Sequence, residues 1–144
     1  VSIVVPVLNE VTTLPHVLTQ LHLLNLQGQG LGKEIIVVDG GSTDGSLEHA
    51  RSRSFVQVVE SKGGRGAALR AGAAVAKGDI VAFFPSDDEY DAADLASVVD
   101  LIAKRNSSVV FGSRSIKCLD LNERIRGIYR GKTLPYFCLL YTSD

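Results

Sequence analysis

The sequence predicts an α/β domain: a mostly parallel sheet with helices on both faces. Three observations lead there. Short, largely apolar, β-branched segments recur along the chain, as expected of strands covered on both sides. Segments with helical periodicity alternate with them, the pattern of a layered α/β fold. With 144 residues, 45% of them hydrophobic, and a net charge of −1, the chain is able to bury a core of its own.

Val1 to Val7 reads as the first strand, and Pro6 suits its end because Pro cannot donate to a ladder. Leu14, Val17, Leu18, Leu21 and Leu24 share one helical face, which predicts an amphipathic helix over about residues 11–26 with Asn9 placed to cap it. Gln27 to Gly32 is a loop. Glu34 to Asp39 is a second buried strand. Gly40 to Gly45 is a turn, after which Asp44 or Ser46 starts a short helix. Phe55 to Glu60 is a third strand, and Ser61 to Gly66 a Gly-rich loop. Ala67 to Lys77 reads as an Ala-rich helix that Gly78 ends as a C-cap. Asp79 to Phe84 is a fourth strand, Ala92 to Lys104 a helix with Leu95, Val98, Val99 and Ile102 inward, and Ser108 to Phe111 a fifth strand. A further helix is expected over about residues 122–129.

Composition removes several classes of function. The 15 basic residues are scattered and balanced by 16 acidic ones, so no nucleic-acid footprint is expected. Cys118 and Cys138 fit neither a zinc spacing nor a disulfide framework, which favours reduced thiols and a cytosolic setting. No signal peptide and no run of about 18 apolar residues is present. The chain opens inside a strand, lacks Met, and stops just after the apolar stretch Leu134 to Tyr141. It is therefore expected to be a fragment, truncated at its C-terminus.

In open parallel sheets, ligands sit beyond the carboxyl ends of the strands. That rule gathers Pro6–Glu10, Asp39–Asp44 and Pro85–Asp91 onto one edge. In the last segment, Asp87, Asp88, Glu89 and Asp91 crowd four carboxylates into five positions. Like charges this close repel, and a hard divalent cation with oxygen ligands relieves the repulsion. If the segment is extended, alternate residues point the same way and Asp87 and Glu89 are placed to share one ion. The plainer reading is a solvated loop entering a helix N-terminus, with Asp91 as its cap.

Asp39 has two readings as well. Its carboxylate is placed to accept N–H donors from a nucleobase, or it organises an Asx turn with Ser42. Glu10 is placed either to touch a ligand or to serve the first turn of a helix. Lys62-Gly-Gly-Arg65-Gly66 leads into a helix, where glycines let backbone approach phosphate and Lys62 and Arg65 add charge; a solvated turn is the alternative. Arg114, after the fifth strand, could neutralise a diphosphate or be an ordinary surface residue. His16, His22 and His49 share no spacing for a metal or a triad and receive no role. Gly127 to Thr133 imitates a Walker loop, but its glycines are one residue too close. The first strand ends in PVLNE, without the glycines of a dinucleotide fingerprint.

The segments VSIVVPVLNE, EIIVVDGGSTDGS, GGRGAALRAGAAVAKGDIVAFFPSDDEYD and VVFGSR resemble glycosyltransferase family 2 in type, order and spacing. The resemblance covers residues 1–114 and points to the branch of polyprenyl-phosphate (dolichyl-phosphate) mannosyl- and glucosyltransferases. It implies the GT-A fold, a Rossmann-like sheet. Residues 1–114 would be the nucleotide-sugar-binding core and 115–144 the start of an acceptor-side region. Pro6, Leu8 and Glu10 would line the nucleotide pocket, Val37 and Asp39 would hold base and ribose, and Ser86 and Arg65 would belong to the same site. Asp87 would be the last acid of the family's Asp-x-Asp motif, Glu89 the second metal ligand, Asp88 a less certain one, and Arg114 the diphosphate contact. Pro85 stands where the motif's first Asp belongs, and Asp39-Gly40-Gly41-Ser42 replaces Asp-Asp-Gly-Ser.

The activity so implied is inverting transfer from a UDP- or GDP-sugar, with Mg²⁺ or Mn²⁺, to a polyprenyl phosphate at the cytoplasmic face of a membrane. A saccharide hydroxyl acceptor and a non-catalytic nucleotide-sugar-binding module are the alternatives. Nucleotidyl transfer would want a Gly-rich loop after the first strand, and an NAD enzyme the missing fingerprint.

Overall fold

A computed structural model describes residues 1–105, 109–112 and 138–142. Its elements are β1 (Ser2–Val7), α1 (Leu14–Leu23), a 3₁₀ turn (Gln27–Gln29), β2 (Glu34–Asp39), α2 (Ser46–Arg51), β3 (Val56–Glu60), α3 (Arg65–Val75), β4 (Ile80–Phe83), α4 (Ala92–Arg105), β5 (Val109–Gly112) and β6 (Cys138–Thr142). The sheet order is β3-β2-β1-β4-β6-β5. The first four strands in that order are parallel, with Val5 opposite Val37 and Val37 opposite Val58. β6 runs antiparallel to both β4 and β5 and separates them.

Alternation along the strands divides the core in two. Ile3, Val5, Val7, Ile35 and Val37 face α1 and α4, burying Leu14, Val17, Leu18, Leu21, Leu95, Val99 and Ile102. Val4, Ile36, Val38 and Val81 face α3 and cover Ala68. Each fully buried leucine of α1 contributes about 1.5–3 kcal/mol by leaving water. On the α3 side the packing is closer. A Cβ on Gly72 would stand 2.3 Å from Val4 Cγ1, so this glycine lets helix and sheet approach.

Several expected boundaries move, each for a local reason. α1 begins at Leu14, because Glu10 O accepts the amides of both Thr13 and Leu14 in a preceding turn. Asn9 does not cap it; the Asn9 side chain bonds the β2–α2 loop instead. α1 ends at Leu23, where Lys33 Nζ donates to the carbonyls of His22 and Leu24, and Asn25 Oδ1 accepts Gln27 N–H in an Asx turn. Part of the expected loop at 27–32 is the 3₁₀ turn. α3 starts two residues early and stops at Val75, with Ala76 extended, so Gly78 is not its cap. Gly78 serves close approach: a Cβ there would lie 2.9 Å from Ser2 N. Ser2, Glu34, Lys77 and Gly78 are hydrogen-bonded there, at the strand ends opposite the candidate site.

β6 lies in the apolar stretch that the sequence left without an element. Its antiparallel place depends on long-range pairing, which a local pattern does not encode. The helix expected over 122–129, the Walker-like segment and Arg114 lie outside the described residues. Among the described residues, no helix is long and apolar enough to cross a membrane.

Candidate functional site

The loops after β1 and β2 are sewn together at the carboxyl edge of the sheet. Asn9 N–H donates to Ser42 Oγ at 3.0 Å, and Thr43 N–H donates to Asn9 Oδ1 at 2.9 Å. Glu10 N–H donates to Ser46 Oγ at 2.9 Å, and Val11 N–H to Asp44 Oδ2 at 3.0 Å. Asn9 takes φ +56° to do this, a left-handed conformation that Asn tolerates better than most residues. Ser42, Thr43 and Asp44, expected to shape a turn and start a helix, thus also fix the neighbouring loop.

The Ser46 hydroxyl, together with the amides of Val11 and Ser46, holds the Asp44 carboxyl below the usual carboxylate range. A carboxylate whose folded pKa is depressed supports the fold above its unfolded value and loses that support as pH falls through the folded one. Acidification from neutral pH to below about 3.9 is therefore expected to release this clip. Amide exchange at Val11 should quicken in that window, beyond the intrinsic change, and Asp44→Ala should show the faster exchange at neutral pH.

Beside the clipped loops lies a cavity of about 270 Å³, close to the lower end for small-molecule sites. Its walls come from Pro6 and Val7 at the end of β1, Leu8 and Glu10 after it, Gly40 after β2, Gly64, Arg65 and Ala68 at the start of α3, and Ser86 after β4. Gly63 and Gly64, with φ +126° and +83°, turn the chain so that α3 presents its first turn to the cavity. The amides of a helix's first turn and the helix dipole favour an anion there. Leu8 is 56% exposed, an apolar surface at the rim.

Asp39 satisfies both of its readings. Its Oδ2 accepts the amides of Gly41 at 2.8 Å and Ser42 at 2.9 Å, which is the Asx turn. Its Oδ1 is buried with no hydrogen-bond partner among the described residues. A buried carboxylate oxygen without a donor is costly, and a ligand N–H would satisfy it.

The acidic segment follows β4 and bends sharply. Ser86 is buried, and its hydroxyl donates to Pro6 O at 2.9 Å, tying β4 to β1. Thr13 Oγ1 lies 2.7 Å from Ser86 O and 3.2 Å from Glu10 Oε2. One hydroxyl proton serves one acceptor well, and the shorter distance gives it to Ser86. Asp88 takes φ +59°, and Asp87 Oδ1 accepts Glu89 N–H at 3.3 Å. The segment is therefore not extended, and the alternation argument for Asp87 and Glu89 fails. Asp88 turns to His16, whose Nδ1 lies 2.8 Å from both carboxylate oxygens. Asp91 Oδ1 accepts Ala93 N–H at 2.8 Å, the helix-capping role.

With this geometry in view, comparison with known proteins settles the family. Residues 2–141 match the family described as Glycosyl transferase family 2. The chain belongs to glycosyl transferase family 2. An uncharacterized glycosyltransferase of Mycobacterium bovis is 35% identical over 114 residues, 79% of this chain and 48% of its own length. The undecaprenyl-phosphate 4-deoxy-4-formamido-L-arabinose transferase of Aeromonas hydrophila is 33% identical over 107 residues, 69% of this chain and 32% of its own. The chain thus spans half or less of the length of these relatives.

Among solved structures, the glucosyl-3-phosphoglycerate synthase of Mycobacterium tuberculosis with Mn²⁺, UDP and glucosyl-3-phosphoglycerate superposes with a TM-score of 0.64 at 30% identity. That match covers 75% of this chain and 41% of the synthase. The same synthase with phosphoglyceric acid superposes over 98% of this chain and 56% of its own, with a TM-score of 0.70 at 26% identity. The expected GT-A fold is the fold observed.

Family 2 membership makes the placement of each candidate residue informative. Pro6, Leu8, Glu10, Arg65 and Ser86 come together around one cavity. Neither Val37 nor Asp39 lines it: both are fully buried, Val37 packing in the core in the middle of β2 and Asp39 ending that strand beside Gly40, which does line it. Asp87, Asp88 and Glu89 adjoin Ser86 without lining the cavity. Thr13, His16 and Gln20 were missed, although His16 pairs with Asp88. Their spacing on one face of α1 is the signal, but polar residues on a helix ordinarily mean a solvated side.

Proposed function

We propose that this chain is the donor-binding part of an inverting sugar transferase that uses a UDP- or GDP-sugar, Mg²⁺ or Mn²⁺, and a polyprenyl-phosphate acceptor. The observation that carries the reading is the cavity at the ends of β1, β2 and β4, flanked by the buried Asp39 oxygen and the acidic segment. Residues 1–114 hold the donor, and 115–144 begin the acceptor side. Asp39 Oδ1 accepts a base N–H, Leu8 covers the base, and the start of α3 with Arg65 receives phosphate.

Among the described residues no three His, Cys, Asp or Glu side chains are grouped to hold a metal alone. Magnesium-type ions are commonly held by one or two carboxylates completed by substrate phosphates, and Asp87 and Glu89 suit that arrangement. When bound, the metal supplies neutralisation of charge on the departing diphosphate. Arg114 adds positive charge to the same group. The bond from the anomeric carbon to the diphosphate oxygen breaks as an acceptor oxygen bonds the opposite face. A lipid phosphate is already anionic and needs no strong base. The acceptor half rests on the branch resemblance and on the Aeromonas relative, whose name includes undecaprenyl phosphate. Such an acceptor places the reaction at the cytoplasmic face of a membrane.

Calorimetric titration of UDP-glucose, GDP-mannose and NAD, with and without Mn²⁺, tests the donor part. Metal-dependent binding of one nucleotide sugar supports it; binding of NAD, or of no nucleotide sugar, refutes it. Transfer to polyprenyl phosphate rather than to a saccharide hydroxyl tests the acceptor, using a protein that includes the acceptor side. Asp39→Asn should lower nucleotide affinity about tenfold, because a hydrogen bond to a charged acceptor is worth roughly 1.5–3 kcal/mol and Asn retains part of it. The Asx turn survives in this variant, so its Tm should hardly move.

A further inference from the structure

The acidic segment and the first residue of α4 are tied at three points to α1 and its N-cap residue Thr13, by side chains on one face. Thr13 Oγ1 donates to Ser86 O, His16 Nδ1 meets Asp88, and Gln20 Oε1 accepts Ala92 N–H at 3.4 Å. Positions 13, 16 and 20 are spaced three and four apart, the spacing of one helical stripe. The bonds are consistent with one polarity. Gln20 Oε1 faces Ala92, so its amide NH₂ is the group 3.3 Å from His16 Nε2. That ring nitrogen accepts, which leaves the ring proton on Nδ1, aimed at Asp88. Asp88 takes a left-handed φ of +59°, which Asp tolerates better than most residues, so the chain bends where His16 meets its carboxylate.

We propose that His16 and Gln20 are positioning residues for the acidic segment. They draw the Asp88 carboxylate onto α1, which keeps it out of the ligand set and orients the turn that carries Asp87 and Glu89. The metal-and-diphosphate consequence rests on the function proposed above; the orientation of the turn does not. His16 is 60% exposed, so the pair contributes little to global stability, and its effect lies in where the segment points.

The variants His16→Ala, Asp88→Ala, their double, and His16→Asn, whose amide replaces the Nδ1 donor, separate the possibilities. Amide exchange across residues 86–92 is read without ligand, and UDP affinity is read with Mn²⁺. Each alanine variant should quicken exchange at Glu89 and weaken Mn²⁺-dependent UDP binding by about tenfold, the usual scale for losing a group that orients a metal ligand. The double variant should be no worse than either single, because His16 acts through Asp88. His16→Asn should recover most of both losses, and Tm should shift little in all four. Additive losses, or wild-type exchange and affinity in His16→Ala, would overturn the proposal. If exchange responds as expected but the wild-type chain binds no UDP with Mn²⁺, the positioning role stands and the functional reading fails.

Discussion

Asp87→Ala should lower affinity for a nucleotide sugar by at least about 100-fold in the presence of Mn²⁺, and remove most of the metal dependence. Losing a group that merely orients a metal ligand costs about 10–100-fold, so losing a ligand itself belongs at or above that range. The effect on folding should be small by contrast. Asp87 is half-buried, and its carboxylate accepts the Glu89 amide only at a long 3.3 Å. That turn is held mainly by others: Ser86 bonds Pro6, Thr13 bonds Ser86, and His16 bonds Asp88. Calorimetry with and without Mn²⁺, beside a thermal melt, separates the two effects. Metal-dependent affinity that survives Asp87→Ala would remove the acidic segment from the donor site.

The sequence made the carboxyl edge legible because the rule behind it is topological. Once β1, β2 and β4 are recognised as parallel strands, their following loops must meet, and Pro6, Leu8, Glu10 and Ser86 do line one cavity. β2 is legible to its last residue, since a continuous apolar run ended by Asp39 and two glycines has few other readings. Val37 and Asp39 show what the strand pattern leaves open: both are fully buried in β2, and a continuous apolar run does not say which of its residues adjoin the cavity that Gly40 lines. The stripe of Thr13, His16 and Gln20 stayed hidden for another reason. Apolar periodicity reports the face of α1 that meets the core, and its polar partners lie about 70 residues away, at 86–92. The bend at Asp88 was hidden as well: the alternation argument for Asp87 and Glu89 assumed an extended segment where one left-handed residue turns the chain.

Gly72→Ala should destabilise the protein by about 2 kcal/mol, lowering Tm by several degrees, although it replaces a helix breaker with the best helix former. Helix propensity alone predicts a gain of about 0.5–1 kcal/mol. Against it stands the sheet, because the added Cβ would meet Val4 Cγ1 at 2.3 Å, with Val4 Cγ2 and Val38 Cγ2 both at 3.1 Å. Overpacking of this kind costs roughly 1–3 kcal/mol, and this overlap belongs at the upper end. Val4 cannot step aside easily. It is fully buried in β1, stiff at χ1, and both of its methyls lie within reach, so rotation exchanges one overlap for another. Relief must come from a shift of α3 away from the sheet, which carries Gly64, Arg65 and Ala68 with it. Gly72→Ala should therefore also weaken nucleotide binding, though no residue at position 72 touches the cavity. Val4→Ala opens the space the new methyl needs, so the double variant should be more stable than the sum of the two single losses predicts. A Tm that rises in Gly72→Ala would mean that α3 and the sheet are farther apart than the packing of Val4 and Val38 requires.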